Sequence, residues 1–575
     1  MKKITEGIIS RIYSAREALL VAVFCVWMTY VALSSFGISA AISLASALII
    51  LLPLLASAFL LEGEKALHIG RIILFISALL HCGKAVHDNK DAFLFIGAVT
   101  FMTVIGIYCS RSLDSIRTKS ESKAFFITAV ACAALLYTVY LSAVTVSRYA
   151  AYRAPSFDFG IFAQAFWSLK ERFIPYTTCE RGFELSHFAV HLSPVFYLAL
   201  PVYALFPRPE TVQIIQAIAL SLGVIPLWKI SKRLGLSNVA ATVFSLLYLV
   251  HPALTGGCMY DFHENCFLPV LLLWTVYFAE KGSLVPTLIF SVLTCSVKED
   301  AAVYVAFLGL YLLFSGKRKA LGTAMTALSV AYFLAACAYL NSHGLGVMAY
   351  RYNNLSSDGT LMGVIITALK DPFRIIKECT ETEKLQFAVL MLLPLGVLPF
   401  ATKKISRYVL FGGLLLVNLM PDYVYQYSID FQYVFGSLAL LFYLAMLNYA
   451  DLKSSVRRSL VTLACTACML TASARMPSHI RYITYMDTLS VEIEALDEAM
   501  TYVPDDVSVS ASTFIVAHLA NRQEIYEIED MQETDYVVAD LRYAEWDAYP
   551  AKYADLGYVV VFEVDDIVCV MKKSR

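Results

Sequence analysis

Charge is scarce in this sequence. Only 16% of the 575 residues are charged and 59% are hydrophobic, whereas about 25% of the residues of an average soluble protein are charged. Apolar stretches recur from Ala18 to Leu470, many of them close to the length of about 20 residues that a helix needs to cross a bilayer. The composition excludes a single soluble core and predicts a protein that crosses the membrane many times.

Several motifs of metal sites and enzymes are also missing. The 13 cysteines show no metal-ligand spacing, and Cys465 and Cys468 form a CxxC inside an apolar stretch, where they are interpreted as packing residues. His187 and His191 are four residues apart but do not form an HExxH motif. The sequence therefore identifies no metal ligands, although a divalent metal remains possible as a cofactor. We expect no nucleic-acid partner.

The distribution of basic residues predicts the orientation in the membrane. Lys2, Lys3, Arg11 and Arg16 precede an apolar stretch without a cleavage pattern, which predicts a retained first span and a cytoplasmic N-terminus. Short loops rich in Lys and Arg recur between later apolar stretches, for example at 117–123, 229–233 and 317–319. With these loops in the cytoplasm, about fifteen spans of roughly 20 residues follow and the C-terminal region is exoplasmic.

The segment 187–207 is ambiguous. It is apolar enough to cross the membrane, but Pro194 and Pro201 interrupt it. If it crosses, two basic loops fall on the outer side, against the positive-inside rule. We therefore interpret this segment as lying along the outer interface or re-entering from it, and a full crossing is the alternative.

Three regions follow from this reading. Residues 1–123 form N-terminal transmembrane helices, and residues 124–474 form a transmembrane core with exoplasmic loops at 148–208, 253–264 and 341–384. Residues 475–575 change character, because "DDVSVSAS", "TDYVVAD" and "YVVVFEVDDIVCVMKK" are typical of strands and "EWDAYPAKYADLG" of an amphipathic helix. This region has no Gly-rich phosphate loop and no nucleophile motif, so we predict a small exoplasmic α/β domain that acts as a structural cap.

The candidate site consists of ionisable residues that this topology gathers on the outer face, because such groups near membrane depth are costly and often functional. Asp158, in "FDFGIFAQAFW", either caps a helix or acts on a substrate. His187 and His191 either bind a metal, contact an anion, or form ordinary interfacial hydrogen bonds. Two further stretches contribute the remaining groups, namely "MYDFHEN" with Tyr260, Asp261, His263 and Glu264, and "SVKEDAAVY" with Lys298, Glu299 and Asp300.

Several segments, in this order, resemble one family. These are "FDFGIFAQAFWSL", "HFAVHLSPVFYLALPVYALFP", "YDFHEN", "KEDAAVYVAFLGLYL", and "SVSASTFIVAHLANRQEIY" with "DYVVAD". Together they resemble the bacterial and archaeal membrane proteins called domain of unknown function 2079, from Tyr149 to the C-terminus. The arrangement is similar to that of C-class membrane glycosyltransferases (GT-C), with many spans, an acid in the first large exoplasmic loop, and a soluble exoplasmic domain.

The resemblance implies a GT-C-like enzyme of the cell membrane that moves a sugar from a polyprenyl-phosphate donor to an exoplasmic glycan, lipid or protein acceptor. Asp158 would deprotonate the acceptor or bind a metal, with Glu299 or Asp300 as alternates. The substrate-binding candidates are His187, His191, Asp261, His263, Glu264, Lys298, Arg351, Arg153, Trp167 and Tyr260, the cations among them for the leaving phosphate and the aromatics for the sugar. The alternatives are a transporter or flippase of a lipid-linked glycan, which the lack of an internal repeat disfavours, and a non-enzymatic membrane scaffold.

Overall fold

The computed structural model describes residues 20–36, 40–41, 43–49, 63–112, 122–356 and 359–574. The predicted second span, 38–60, lies largely outside these residues, as does the basic N-terminal segment that precedes the first span. Within the described residues the fold is a helical bundle followed by an α/β domain.

The first half of the bundle runs from the N-terminal helices to the residues just before Lys298. Its helices are α1 (Leu20–Ser35), α2 (Gly63–Asn89), α3 (Ala92–Ser112), α4 (Lys123–Ala150), α5 (Ile161–Arg172), α6 (Phe196–Leu205), α7 (Pro209–Leu222), α8 (Val224–Arg233), α9 (Asn238–Val250), α10 (Pro252–Met259), α11 (Leu268–Lys281) and α12 (Leu284–Cys295). A short antiparallel pair, β1 (Tyr176–Thr177) and β2 (Leu185–Ser186), follows α5.

The second half of the bundle leads to the C-terminal domain. Its helices are α13 (Ala301–Phe314), α14 (Lys319–His343), α15 (Leu361–Lys370), α16 (Pro372–Cys379), α17 (Thr382–Leu392), α18 (Phe435–Asp451) and α19 (Ser454–Thr488). The helix α19 continues through residue 475, the predicted start of the C-terminal region, and the sheet of the α/β domain begins at Val509.

Eight helical segments of the described residues are long and apolar enough to cross a membrane. They are Gly70–Asn89, Ala92–Ser110, Lys123–Ala150, Pro209–Arg233, Asn238–Met259, Lys319–His343, Gln432–Asp451 and Ser454–Thr488. Several other predicted spans are shorter helices, such as α12 with 12 residues and α13 with 14. The helix α6 has only ten residues, so it measures about 15 Å, which is half of the roughly 30 Å of a bilayer core.

The helix α18 is the central element of the bundle. Every residue from Phe435 to Asn448 is buried, and a helix that is apolar on all sides is stable only when other helices surround it. The buried Asn448 side chain near the C-terminal end of α18 has hydrogen-bond partners, because its amide donates to the carbonyls of Leu398 and Pro399 at 2.9 and 2.8 Å. The remaining helices therefore pack around α18.

The predicted spans 385–401 and 406–420 are interrupted. The helix α17 ends at Leu392, two residues before Pro394, and the chain then forms short helical turns over Leu393–Leu395, Leu398–Phe400, Ile405–Phe411 and Leu414–Leu419. The buried Tyr304 ring packs directly against two glycines, since a Cβ at Gly413 or Gly436 would lie 2.5 or 2.3 Å from it. Hydropathy alone predicts a span here, whereas proline and close glycine packing produce short turns.

The C-terminal domain has the predicted α/β character. Its helices are α20 (Ser490–Thr501), α21 (Thr513–Leu519) and α22 (Tyr549–Asp555), and its strands are β3 (Val509–Ala511), β4 (Ile525–Glu527), β5 (Tyr536–Asp540), β6 (Tyr558–Val564) and β7 (Val568–Lys573). The five strands form one sheet in the order β4, β3, β5, β7, β6. Strand β3 is parallel to both neighbours, and β7 is antiparallel to both of its own. The strands and the helix predicted from the sequence are confirmed.

This domain is fastened to the loop that follows α4. The His518 ring stacks between Tyr149 and Tyr152, with centroids 4.1 and 3.7 Å away, and His518 Nε2 lies 3.0 Å from the Tyr149 carbonyl oxygen. Burial lowers the pKa of His518 to about 3, so the ring is neutral and donates one hydrogen bond from Nε2. The C-terminal α/β domain therefore packs directly against the end of α4 and the residues that follow it.

Candidate functional site

Asp158 lies on a single turn between α4 and α5. The residue at the N-terminus of α5 is Gly160, and no side chain caps that helix, so the helix-capping interpretation of Asp158 is not what the structure has. The turn is held from the C-terminal domain, because the Ser156 N–H donates to Thr513 Oγ1 at 3.0 Å. The Asp158 carboxylate is left facing a cavity instead of a helix end.

Aromatic side chains of the turn and of α5 pack around Asp158. Phe159 in the turn and Phe162 and Phe166 in α5 are fully buried. The Phe162 ring makes edge contacts with the rings of His187 and His263, at centroid distances of 5.3 and 5.0 Å. One aromatic side chain therefore fixes the positions of two histidines from separate loops.

Glu264 is the buried centre of the polar cluster. Its side chain has no exposed surface, and its two oxygens lie 3.0 Å from Lys298 Nζ and 2.8 Å from His263 Nδ1. Burial raises the pKa of Glu264, but His263 and Lys298 outweigh burial and hold it well below the usual range. Since an ionised carboxylate cannot be buried without partners, these three residues form one unit.

His187 and His191 each bind a carboxylate through Nδ1. His187 Nδ1 lies 3.0 Å from Glu180 Oε2, and His191 Nδ1 lies 2.9 Å from Glu299 Oε1. Glu299 also accepts the Leu192 N–H at 3.2 Å. In both pairs the Nε2 atom is left for another partner, and the buried His187 Nε2 has no hydrogen bond within the described part of the chain.

The two histidines differ in pKa. Burial lowers the pKa of His187, but the charge and hydrogen bond of Glu180 raise it by more, so it lies above the ordinary value. Burial also lowers the pKa of His191, and the charge of Lys298 lowers it further, to about 4. At neutral pH His187 is therefore the more cationic of the two, and His191 is neutral.

Asp158 lies close to these groups. Burial raises its pKa above the ordinary value, and the nearby charges partly cancel, because His263 and Lys298 lower the pKa while Glu264 and Glu180 raise it. A carboxylate with a raised pKa holds a proton more strongly, which favours general-base chemistry near neutral pH.

Asp158 opens into a cavity of about 390 Å³, which we call the aromatic cavity. Its walls combine ionisable groups with many aromatic rings. The lining residues are Phe157, Asp158, Ile161, Phe162, Glu180, Arg181, His187, Val190, His191, Tyr260, His263, Met348, Tyr350, Arg351, Tyr423, Tyr425, Phe431, Gln432 and Tyr433. Such a mixture of ring faces and hydrogen-bonding groups suits a polar ligand with apolar faces.

A second cavity, of about 280 Å³, lies beside the first and is called the apolar cavity. Most of its wall is aliphatic or aromatic, while Lys298, Glu299 and Asp300 lie at one side. Burial raises the pKa of Asp300 to about 6. Three residues, His191, Met348 and Arg351, line both cavities. The Arg351 guanidinium lies 4.4 Å from the Tyr423 ring and 5.3 Å from the Tyr433 ring, so its charge is held at the boundary between a polar and an apolar space.

The structure places most of the predicted residues in or beside these cavities, but three lie elsewhere. Asp261 forms an ion pair with Arg148 at 2.8 Å, is bonded by Gln213, and lines neither cavity. Arg153 lies over the rings of Tyr485 and Tyr543, which makes it a contact to the C-terminal domain. Trp167 is part of α5 but lines neither cavity.

Sequence reasoning missed two kinds of residue. Glu180 is buried against His187, although its stretch "CERGFE" looks like an ordinary polar loop. The tyrosines of the aromatic cavity come partly from "DYVYQYSIDFQY", a segment whose concentration of aromatic residues was the available signal. Contacts between residues of distant loops leave no recognisable pattern in the sequence.

Within the described ranges, no three His, Cys, Asp or Glu side chains are grouped as metal ligands. His187 and His191, predicted as one alternative to be a metal pair, each bind a carboxylate through Nδ1. The ring centroids of the two histidines are 5.9 Å apart.

Comparison with known proteins identifies one family. The model of a family described as predicted membrane protein DUF2079 matches residues 148–556. This range contains every lining residue of the aromatic and apolar cavities. No curated protein matches the chain.

Among solved structures, crystal structures of ArnT from Cupriavidus metallidurans are similar to this chain. The structure bound to undecaprenyl phosphate is 11% identical, with a TM-score of 0.47, and the match covers 78% of this chain and 98% of that chain. The apo structure is 12% identical, with a TM-score of 0.48, and the match covers 79% of this chain and 98% of that chain.

The buried unit of Glu264 generates a stability prediction. Lys298→Met leaves a buried carboxylate short of one partner, so we expect it to cost about 3–5 kcal/mol of unfolding free energy. Adding Glu264→Gln removes the unpaired charge, and the double variant should be more stable than Lys298→Met alone. Thermal unfolding of the purified protein in detergent measures both effects.

Lys404→Met is the matched control for that experiment. Lys404 pairs with Asp451 at 2.7 Å, but its side chain is 60% exposed, so its loss should cost less than about 1 kcal/mol. Equal destabilisation by Lys298→Met and Lys404→Met would contradict the role assigned to the buried unit.

Proposed function

The chain belongs to the DUF2079 family of predicted membrane proteins, and from that premise and its paired cavities we propose that it is a membrane glycosyltransferase. It transfers a sugar from a polyprenyl-phosphate donor to an acceptor hydroxyl at the outer face of the cell membrane. The observation that carries the proposal is the junction of an aromatic and an apolar cavity at His191, Met348 and Arg351.

A lipid-linked sugar phosphate has the matching division of polarity. The part of its prenyl chain next to the phosphate would lie in the apolar cavity, its phosphate would meet the cationic Arg351 at the boundary, and its sugar would reach the rings of the aromatic cavity. Tyr260, Tyr423 and Tyr433 offer ring faces there. A soluble nucleotide sugar has no hydrocarbon chain and would not occupy the apolar cavity.

Asp158 takes the role of general base in this proposal. The acceptor oxygen forms a bond with the anomeric carbon, while the bond between that carbon and the phosphate oxygen breaks. The hydroxyl proton passes to the Asp158 carboxylate, and the electron pair leaves with the phosphate, whose charge Arg351 and protonated His187 stabilise. Lys298 contributes less direct charge, because Glu264 already neutralises it at 3.0 Å.

Asp158→Asn tests the base. We expect transfer to fall by about 10²–10⁴-fold, since a general base contributes on that order, while binding of undecaprenyl phosphate, used as the probe, stays within about twofold. Glycan and glycolipid products in membranes report transfer, and native mass spectrometry reports binding. Asp422→Asn is the control, because Asp422 is an exposed acid outside both cavities. Normal product formation by Asp158→Asn would show that Asp158 takes no part in the reaction.

Val364→Trp tests the place of the prenyl chain. Val364 is 8% exposed and lines the apolar cavity, so a larger side chain should occupy the space of the chain and weaken undecaprenyl phosphate binding at least about tenfold, a change of about 1.4 kcal/mol. Ile366→Trp, on the same helix but outside the lining, should bind as the unaltered protein does. Equal affinity in both variants would exclude the apolar cavity as the carrier site.

Glu180→Gln tests the charge of His187 through the pH dependence of transfer. Glu180 raises the pKa of His187 above its ordinary value of 6.5, so the His187 cation persists to higher pH and is lost as the pH rises through that raised pKa. Without the Glu180 carboxylate, its raising effect is lost, while burial and the charge of Lys298 still lower the pKa of His187 and the charge of Glu264 still raises it. The alkaline decline of the rate should therefore move to lower pH. Rate profiles of transfer from pH 5 to 9 measure the shift.

Glu184→Gln is the control for the pH profile, because Glu184 belongs to the same loop but is exposed and pairs with Arg172 at 2.5 Å. Its profile should match that of the unaltered protein. A profile of Glu180→Gln that does not move would contradict the assignment of His187 as the cation.

A further inference from the structure

A third cavity lies at the opposite end of the bundle from Asp158, and we call it the basic groove. It has a volume of about 900 Å³ and is bounded by α4, α7, α8 and α11. The helix α4 connects the two ends, with Lys123 at the groove and Arg148 beside the site. Since α4 has 28 residues, the groove opening and the site are about 40 Å apart.

Most of the groove wall is apolar and accessible. Ile127, Leu135, Ile218, Leu222 and Ile225 line it, and between 41% and 65% of each side chain is exposed. Alanines at 131 and 134 leave a recess in α4 between larger neighbours. An exposed apolar wall between transmembrane helices offers a site to hydrocarbon chains and not to water-soluble ligands.

Four cations gather at one end of this apolar wall. Lys123 begins α4, while Lys229, Lys232 and Arg233 come from the last turns of α8, so two distant parts of the sequence supply them. No acidic side chain is among the described residues that line the groove. The end of the groove therefore carries a net positive charge.

Local contacts hold these cations near the groove opening. Lys232 Nζ lies 2.8 Å from the Leu236 carbonyl oxygen, and Arg233 Nε lies 2.8 Å from that of Glu280. Lys229 Nζ lies 5.9 and 5.6 Å from the ring centroids of Trp274 and Tyr277. Trp and Tyr are the aromatic residues typical of the membrane interface, which places this end of the groove at headgroup depth.

We propose that the basic groove binds one anionic phospholipid, with the phosphate at the four cations and the acyl chains along α4, α7 and α8. Charge complementarity selects the headgroup, because a neutral phospholipid leaves the cations without a partner. The apolar wall selects a lipid over a free phosphate. The proposal is independent of the proposed transfer reaction, because the groove lies far from Asp158 and includes residues before the matched family range.

Native mass spectrometry of the full chain with phosphatidylglycerol and phosphatidylcholine tests the proposal. We expect phosphatidylglycerol to bind more tightly. A basic residue near a membrane surface is worth about 1 kcal/mol toward an anionic lipid, or about fivefold in affinity. Lys123→Gln or Lys229→Gln should therefore weaken phosphatidylglycerol binding about fivefold, and the double variant about 25-fold.

Ala131→Trp separates a lipid site from a merely charged surface. It fills the exposed recess of α4 and keeps all four cations, so it should weaken phosphatidylglycerol binding at least about fivefold. Lys317→Gln, an exposed lysine outside the groove lining, is the charge control and should bind as the unaltered protein does.

Three results would overturn the proposal. These are equal affinity for the two phospholipids, an equal loss of affinity in Lys317→Gln, and an Ala131→Trp variant that binds phosphatidylglycerol normally.

A competition experiment identifies the lipid class. If undecaprenyl phosphate displaces phosphatidylglycerol at equal concentration, the groove binds a prenyl carrier, which would contradict a phospholipid site. Glycerol 3-phosphate, which has the headgroup chemistry without acyl chains, should not compete.

Discussion

The contact of Glu264 with Lys298 and His263 is the constraint on which the site depends. Burying a carboxylate and an ammonium is costly unless each satisfies the other, so the segment 260–265 and the segment 296–300 can pack only in the register that brings them together. Lys298 in turn fixes the neighbouring Glu299, which accepts from His191 and from the Leu192 N–H. One series of ion pairs and hydrogen bonds thereby orders three loops that are far apart in the sequence.

The same series of ion pairs and hydrogen bonds also determines the difference in pKa between His187 and His191. Both bind a carboxylate, but His191 lies near the charge of Lys298 and His187 is dominated by Glu180. Two similar pairs in one small volume therefore differ in pKa, and His187 takes up a proton more readily than His191. The aromatic rings around them exclude water and strengthen each of these electrostatic effects.

The sequence predicts the membrane class, the α/β character of the C-terminal domain and the gathering of Asp158, His187, Glu264 and Glu299 at one end of the bundle. These follow from hydropathy, strand patterns and the uneven distribution of charge. Pairings such as Glu180 with His187 and Asp261 with Arg148 do not follow, because they depend on contacts between distant loops. The short turns at 393–419 are not predicted. Pro394 and Pro399 are visible in the sequence, but the fit of Tyr304 against Gly413 and Gly436 depends on packing between distant segments.

The helix α19 extends from the basic segment at Lys453 to the C-terminal domain and contains Pro477. Its 35 residues give it a length of about 52 Å, well beyond the thickness of a bilayer core, and the helices α2 and α3 pack against its sides. A rod of this length converts a small tilt inside the membrane into a displacement of several ångströms at its far end. The length of α19 beyond the bilayer core brings it to the domain that contacts the Asp158 turn through Thr513.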